Sequence, residues 1–246
     1  MIRQIVLVFL VTYLIASQAE AAKSKIAKHV YSIEIAQGCD YGYPDADDTV
    51  YEFTFRVHTD SSVESVEFRT PEEETFPINK PPESEGTLYW EYYADYPDAS
   101  SLAVYGDGDY TITVYYEGGA SDQTTAWFGI PRSKDYMPQP EQEPVLVFPG
   151  NGDTTTSPVA FEWEPCTDTS TNLIVLNLEN TTTGERTMNW FRPTKTEWKK
   201  ARLSTGLWEA DLSFGQRYKP YRNNDGIWVR VSKYSESDYT FEIDTD

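Results

Sequence analysis

Residues 105–131, YGDGDYTITVYYEGGASDQTTAWFGIP, decide the fold class. Tyr110, Ile112, Val114 and Tyr116 fall on one side of a period-two strand, with Asp109, Thr111, Thr113 and Tyr115 on the other. Glu117-Gly118-Gly119-Ala120 supplies the backbone freedom of a turn, and Thr124 to Ile130 reads as the return strand. The stretch therefore predicts a β-hairpin. A proline-rich segment follows at once, so the hairpin closes one β-domain and a second begins beyond it.

The same alternation continues on either side. Tyr51, Phe53, Phe55 and Val57 face one way and Glu52, Thr54 and Arg56 the other, which marks a half-buried strand. Val63 to Phe68 is expected to pair with it across His58–Ser62. His29–Ile35, Leu88–Tyr93 and Leu102–Tyr105 read as further strands, and Pro71–Glu85 as loop, because its prolines cannot sit in a central strand. No amphipathic helix stands out.

Residues 23–131 thus form one acidic, immunoglobulin-like β-sandwich by strand count, and RSKDYMPQPEQEP (132–144) is a semi-extended linker. Residues 145–246 form a second sandwich. Its expected strands are Val145–Phe148, Val159–Trp163, Leu173–Leu178, Glu185–Phe191, Thr196–Lys200 and Gly206–Leu212. Ile227–Val231 and Tyr239–Ile243 complete it, separated by a serine-rich turn.

Two motifs in this second half carry a resemblance. Phe161-Glu162-Trp163 and Leu212-Ser213-Phe214-Gly215-Gln216-Arg217-Tyr218 are similar to the core tryptophan and corner tyrosine of fibronectin type III domains. The resemblance covers about the last 100 residues and implies a β-sandwich. Pro220 and Asn223-Asn224-Asp225-Gly226 depart from that pattern, falling where a central strand would continue. The fold is thus all-β, with two tandem immunoglobulin/fibronectin-III-like sandwiches, and this architecture hosts many unrelated functions.

Residues 1–22 read as a secretory signal peptide: Arg3 is the positive end, Ile5 to Ile15 the apolar run, and Ala16 to Ala22 the small-residue cleavage region. No later run is apolar enough to cross a bilayer. A secreted or periplasmic protein is expected. The net charge is −20. Residues 23–131 carry six Lys/Arg against twenty-one Asp/Glu, and residues 132–246 thirteen against eighteen. Such a field repels phosphate backbones and anionic lipid, so nucleic-acid and membrane-surface partners are not expected. The charge also serves plain solubility.

Candidate chemistry is sparse. His29 and His58 are the only imidazoles, no nucleophile elbow or phosphate loop appears, and no catalytic residue or cofactor is assigned. Asp45, Asp47 and Asp48, with Asp107 and Asp109, could supply hard oxygen ligands to calcium, or simply build turns. Tyr89, Trp90, Tyr92 and Tyr93 alternate so that either pair could face outward as a platform for a carbohydrate or protein, or inward as core. The remaining tryptophans, Trp163, Trp190, Trp198, Trp208 and Trp228, read as packing of the second half. Cys39 and Cys166 could pair only if their Cα atoms come within about 7 Å. Asn180-Thr181-Thr182 is a glycosylation sequon if the source is eukaryotic. Together these readings anticipate a non-catalytic binding or adhesion protein. An accessory carbohydrate-binding component and a structural spacer are the alternatives.

Overall fold

The computed structural model describes residues 25–42, 49–78, 87–199 and 202–244. The leader reading (1–22) and Asp45, Asp47 and Asp48 lie outside the described residues. Before the proline-rich segment come β1 (Val30–Asp40), β2 (Val50–Asp60), β3 (Val63–Arg69), β4 (Thr75–Ile78), β5 (Thr87–Tyr96), β6 (Gly108–Tyr116) and β7 (Ser121–Phe128). After it come β8 (Leu146–Phe148), β9 (Asp153–Thr156), β10 (Ala160–Trp163), β11 (Leu173–Asn180) and β12 (Arg186–Phe191). β13 (Glu197–Lys199), β14 (Gly206–Arg217), β15 (Tyr221–Arg222) and β16 (Trp228–Asp244) complete the described strands. The chain is all-β.

The quoted hairpin forms as read: β6 pairs with β7, and Tyr110, Ile112 and Val114 are buried. It belongs to a four-stranded sheet, β4-β3-β6-β7. A three-stranded sheet, β13-β10-β8, lies in the other half. Both face one large sheet of order β12-β11-β14-β16-β1-β2-β5, with β9 and β15 alongside β16.

β16 organises the molecule. Its first residues pair in parallel with β1, from Ser32↔Trp228 to Asp40↔Glu236, and its later ones pair antiparallel with β14, from Arg217↔Ser232 to Gly206↔Ile243. Neither ladder has a bulge, so its odd-numbered side chains stay on one face throughout. Val229 and Val231 enter the first apolar cluster, with Ile35, Phe55, Phe68, Trp90 and Tyr110. Phe241 and Ile243 enter the second, with Phe161, Trp163, Leu176, Trp208 and Leu212. Burying an aliphatic or aromatic side chain of this size contributes roughly 1.5–3 kcal/mol. Between the two clusters the same face shows Lys233, Ser235 and Ser237, all buried.

Residues 132–144 cover that polar middle. The Ser235 hydroxyl donates to the Gln142 carbonyl (2.7 Å), the Tyr239 hydroxyl to the Pro144 carbonyl (2.8 Å), and Gln139 Nε2 to the Tyr234 carbonyl (2.5 Å). Met137 is buried in the first cluster. The segment is a strap laid across the sheet. Its hydrogen bonds satisfy groups that an apolar neighbour would leave orphaned.

Several expectations give way here. The serine-rich stretch is no turn but the centre of a 17-residue strand. Val63–Phe68 does not pair with β2: β2 pairs β1 and β5, while β3 pairs β4 and β6. The chain changes sheets at Asp60–Ser62, and a hairpin and a sandwich corner demand the same alternation. Leu102–Tyr105 lies in a 3-10 helix, Ala99–Tyr105, whose Asp98 cap accepts from Ser101 N (3.1 Å). Leu102 and Tyr105 both turn inward, three residues apart. Within Pro71–Glu85, Thr75–Ile78 is an edge strand, and Pro77 is tolerated there because the outer side needs no donor.

The corner tyrosine also lands elsewhere. Tyr218 and Tyr221 pack against the first cluster, and Ile227, Val229 and Val231 are part of it. A cut at 132–144 therefore assigns these residues to the half they do not pack in. The Asn223–Gly226 interruption is a clamp onto β7. Asn223 Nδ2 donates to Thr124 Oγ1 (2.7 Å) and the Thr125 carbonyl (2.8 Å), and Thr124 Oγ1 donates to Asp225 Oδ2 (2.6 Å).

Candidate functional site

The aromatic quartet splits by strand parity. Trp90 is wholly buried, its Nε1 donating to Thr59 Oγ1 (2.8 Å), and Tyr92 packs on the first cluster with its hydroxyl 2.9 Å from that of Tyr105. Trp90 therefore serves the core and leaves the platform. Tyr89 and Tyr93 point outward. The cysteines remain free: Cys39 is buried in the first half, and Cys166 packs against the second cluster.

The acids fare similarly. Asp107 is engaged by Lys233 Nζ at 2.6 Å and by the backbone N–H of Met137, and exposed Asp109 lies 3.7 Å from Lys134 Nζ. Among the described residues no group of three or more His, Cys, Asp or Glu side chains is placed to hold a metal ion. His29, Asp60 and Ser62 do meet, but not as a relay. Asp60 Oδ2 (2.9 Å) and Ser62 Oγ (3.0 Å) both contact His29 Nδ1. Activating a serine requires the carboxylate on one ring nitrogen and the hydroxyl on the other.

The extended feature that stands out is the face of the large sheet that no other described element covers. Both smaller sheets and the strap lie on its odd-numbered β16 side. The opposite side carries rows of side chains running from strand to strand. At one end the rows are Trp228, Ser32, His58 and Tyr89; then Arg230, Glu34, Arg56 and Glu91; then Ser232, Ala36, Thr54 and Tyr93. Guanidinium groups lie over the exposed rings. Arg222 is 4.4 Å from the Trp228 ring centroid, Arg217 4.6 Å from that of Trp190, and Arg56 5.9 Å from that of Tyr89. Arg56 Nε also donates to Glu91 (2.6 Å).

Toward the other end the face turns acidic. Glu236 lies beside Asp40, and Asp211 opposite Asp238. Burial, followed by the carboxylates of Asp211, Asp40 and Glu52, pushes Glu236 up to about 7, against the hydrogen bond it accepts from Ser213 (2.5 Å). Burial and the facing Asp211 raise Asp238 as well. Tyr234 lies flat across β1: a Cβ on Gly38 would sit 2.3 Å from its ring, so any other residue there would displace the ring. The Tyr234 hydroxyl donates to Glu52 (2.8 Å).

Trp190 and Trp228, read from the sequence as packing, are the residues this face turns outward, each about half exposed. The signal was their parity. Trp190 precedes inward Phe191, and Trp228 precedes inward Val229.

No protein-family model and no curated protein matches the chain. Solved structures built from fibronectin type III and immunoglobulin-like domains are similar to it. A two-domain fibronectin type-III segment of chicken tenascin is 12% identical over 87% of this chain and 99% of that one, with a TM-score of 0.29. The FN1–FN3 domains of chicken CNTN1 are 11% identical over 89% and 68%, at 0.25. The IG1+IG2 segment of DIP-gamma is 9% identical over 89% and 97%, at 0.23. Likenesses this remote carry nothing about ligand or partner to this chain. Among the described residues no helix is long and apolar enough to cross a membrane.

Proposed function

We propose that this chain is an exported, non-catalytic binding module that presents the uncovered face of its large sheet to a partner protein. The carrying observation is the set of arginine-covered aromatic rings at Trp228, Trp190 and Tyr89. Tryptophan, tyrosine and arginine are the residues that dominate binding energy at protein interfaces. Six strand spacings of about 4.8 Å make the sheet roughly 29 Å wide, enough for the ~800 Å² per partner of an ordinary interface. Sugar stacking needs bare ring faces, and a guanidinium group lies over one face of each tryptophan. Export rests on the leader-like residues 1–22.

The test is a paired screen of the protein on an extracellular-protein array and a glycan array. Wild type is expected to give a protein hit that weakens at least tenfold in a Trp190→Ala/Trp228→Ala double variant, with the glycan array blank. A glycan hit abolished by Tyr89→Ala/Tyr93→Ala would replace this reading with carbohydrate binding.

A further inference from the structure

The first sandwich is not apolar to its end. Its inward rows run Val231, Ile35, Phe55; then Lys233, Gln37, Phe53; then Ser235, Cys39, Tyr51. Over the last two rows lie the 3-10 helix Ala99–Tyr105 and the strap, and between them and the sheet is a cleft of about 610 Å³. That volume suits a small organic molecule. Tyr41, Tyr51 and Tyr136 supply aromatic wall, and Ala99, Leu102 and Pro140 apolar wall.

The charges at its floor are already answered. Lys233 Nζ lies 2.6 Å from Asp107 Oδ1, and Asp107 Oδ2 accepts the Met137 N–H. Burial raises both the Cys39 thiol and the Tyr51 phenol, so each is uncharged at neutral pH. An anion would find Lys233 neutralised and the exposed Glu141 carboxylate on the lining, and a cation would find both oxygens of Asp107 in use, with only that exposed carboxylate left to it.

Two amides line the cleft. Gln37 is 8% exposed, and no hydrogen bond holds its side chain among the described residues. Gln139 also lines it; its Oε1 is buried without a partner, while its Nε2 donates to the Tyr234 and Pro140 carbonyls. A guest with a donor and an acceptor side by side would satisfy the Gln37 carboxamide.

We propose that this cleft is a binding site for a flat, uncharged heteroaromatic molecule carrying an adjacent hydrogen-bond donor and acceptor, as on a lactam or nucleobase edge. The site is independent of the open sheet face, since it lies on the opposite side of the sheet. Isothermal titration and ligand-observed NMR with 2-pyridone and adenine test it, with benzoate, benzylamine and toluene as charged and non-polar controls. At least one of the two heteroaromatics should saturate and bind at least tenfold more tightly than every control. Gln37→Leu should weaken that binding at least tenfold, and Ala103→Trp, at an exposed position of the helix that lines the cleft, should abolish it. The proposal falls if neither heteroaromatic saturates at millimolar concentration, or if a control binds equally well. It falls too if folded Gln37→Leu binds like wild type. Should Gln37→Leu not fold, Ala103→Trp decides: retained binding overturns the site, and lost binding upholds it.

Discussion

The first sandwich draws its large-sheet strands from both ends of the chain, whereas the apolar cluster of the second is drawn entirely from residues between Leu146 and Ile243. In the first, β1 is flanked by β2 on one side and by the start of β16 on the other, nearly 200 residues later. The second closes with its own β11, β14 and the end of β16. One strand thus serves two cores, and the first half depends on the second for a strand, while the second takes from residues before Val145 polar partners, among them those of Lys233, Ser235 and Tyr239.

The largest expected effect follows from that asymmetry. A fragment of residues 23–144 lacks Ile227, Val229 and Val231 and leaves one edge of β1 unpaired, so it should show no cooperative thermal transition by near-ultraviolet circular dichroism. Residues 145–246 retain every residue of the second cluster and should melt cooperatively. Cooperative melting of the first fragment would break the comparison.

Next in size is the buried pair beneath the strap. Asp107 lies just beyond the 3-10 helix of the first half and Lys233 at the middle of β16, with side-chain exposures of 3% and 10%. Asp107→Ala strands the ammonium group and should lower stability by about 3–5 kcal/mol in urea titration. An Asp107→Leu/Lys233→Met double variant should recover most of that loss. If the single variant is neutral, the pair does not tie the first half to the shared strand.

The smallest effect sharpens the contrast between the two sides of the sheet. Glu236, raised to about 7, binds its proton more tightly folded than unfolded. Its stabilising contribution is therefore complete below the ordinary carboxylate range and is lost as pH rises through 7. Between pH 5 and pH 9 the protein should lose about 1–3 kcal/mol after allowance for solvent screening. Glu236→Gln should flatten that decline. An unchanged pH profile in the variant would assign the titration elsewhere, first to Asp238 facing Asp211.

Much of this was legible in the residues. Phe53, Phe55 and Val57, and Ile112 and Val114, alternate strictly and are buried as that alternation requires. What escaped was pairing. β2 and β3 look like a hairpin because five polar residues separate two alternating runs, yet they lie in different sheets. Lys233, Ser235 and Ser237 look like a turn because a buried strand is expected to be apolar; Asp107 answers Lys233, and the strap answers Ser235. The outward tryptophans were hidden for the converse reason: tryptophan is usually packed, and only the parity of Trp190 and Trp228 within their strands marks them as exposed.

By itself the sequence determined the all-β class, the positions of most strands and which side chains alternate inward, because strand periodicity is a local property of the backbone. Tertiary structure alone decided that β16 joins both sandwiches, that residues 132–144 lie across its polar centre, and that one face of the sheet is left open by the other described elements. Those outcomes depend on contacts between residues far apart in the chain. A period-two pattern says which face of a strand is buried, but not which strand lies beside it.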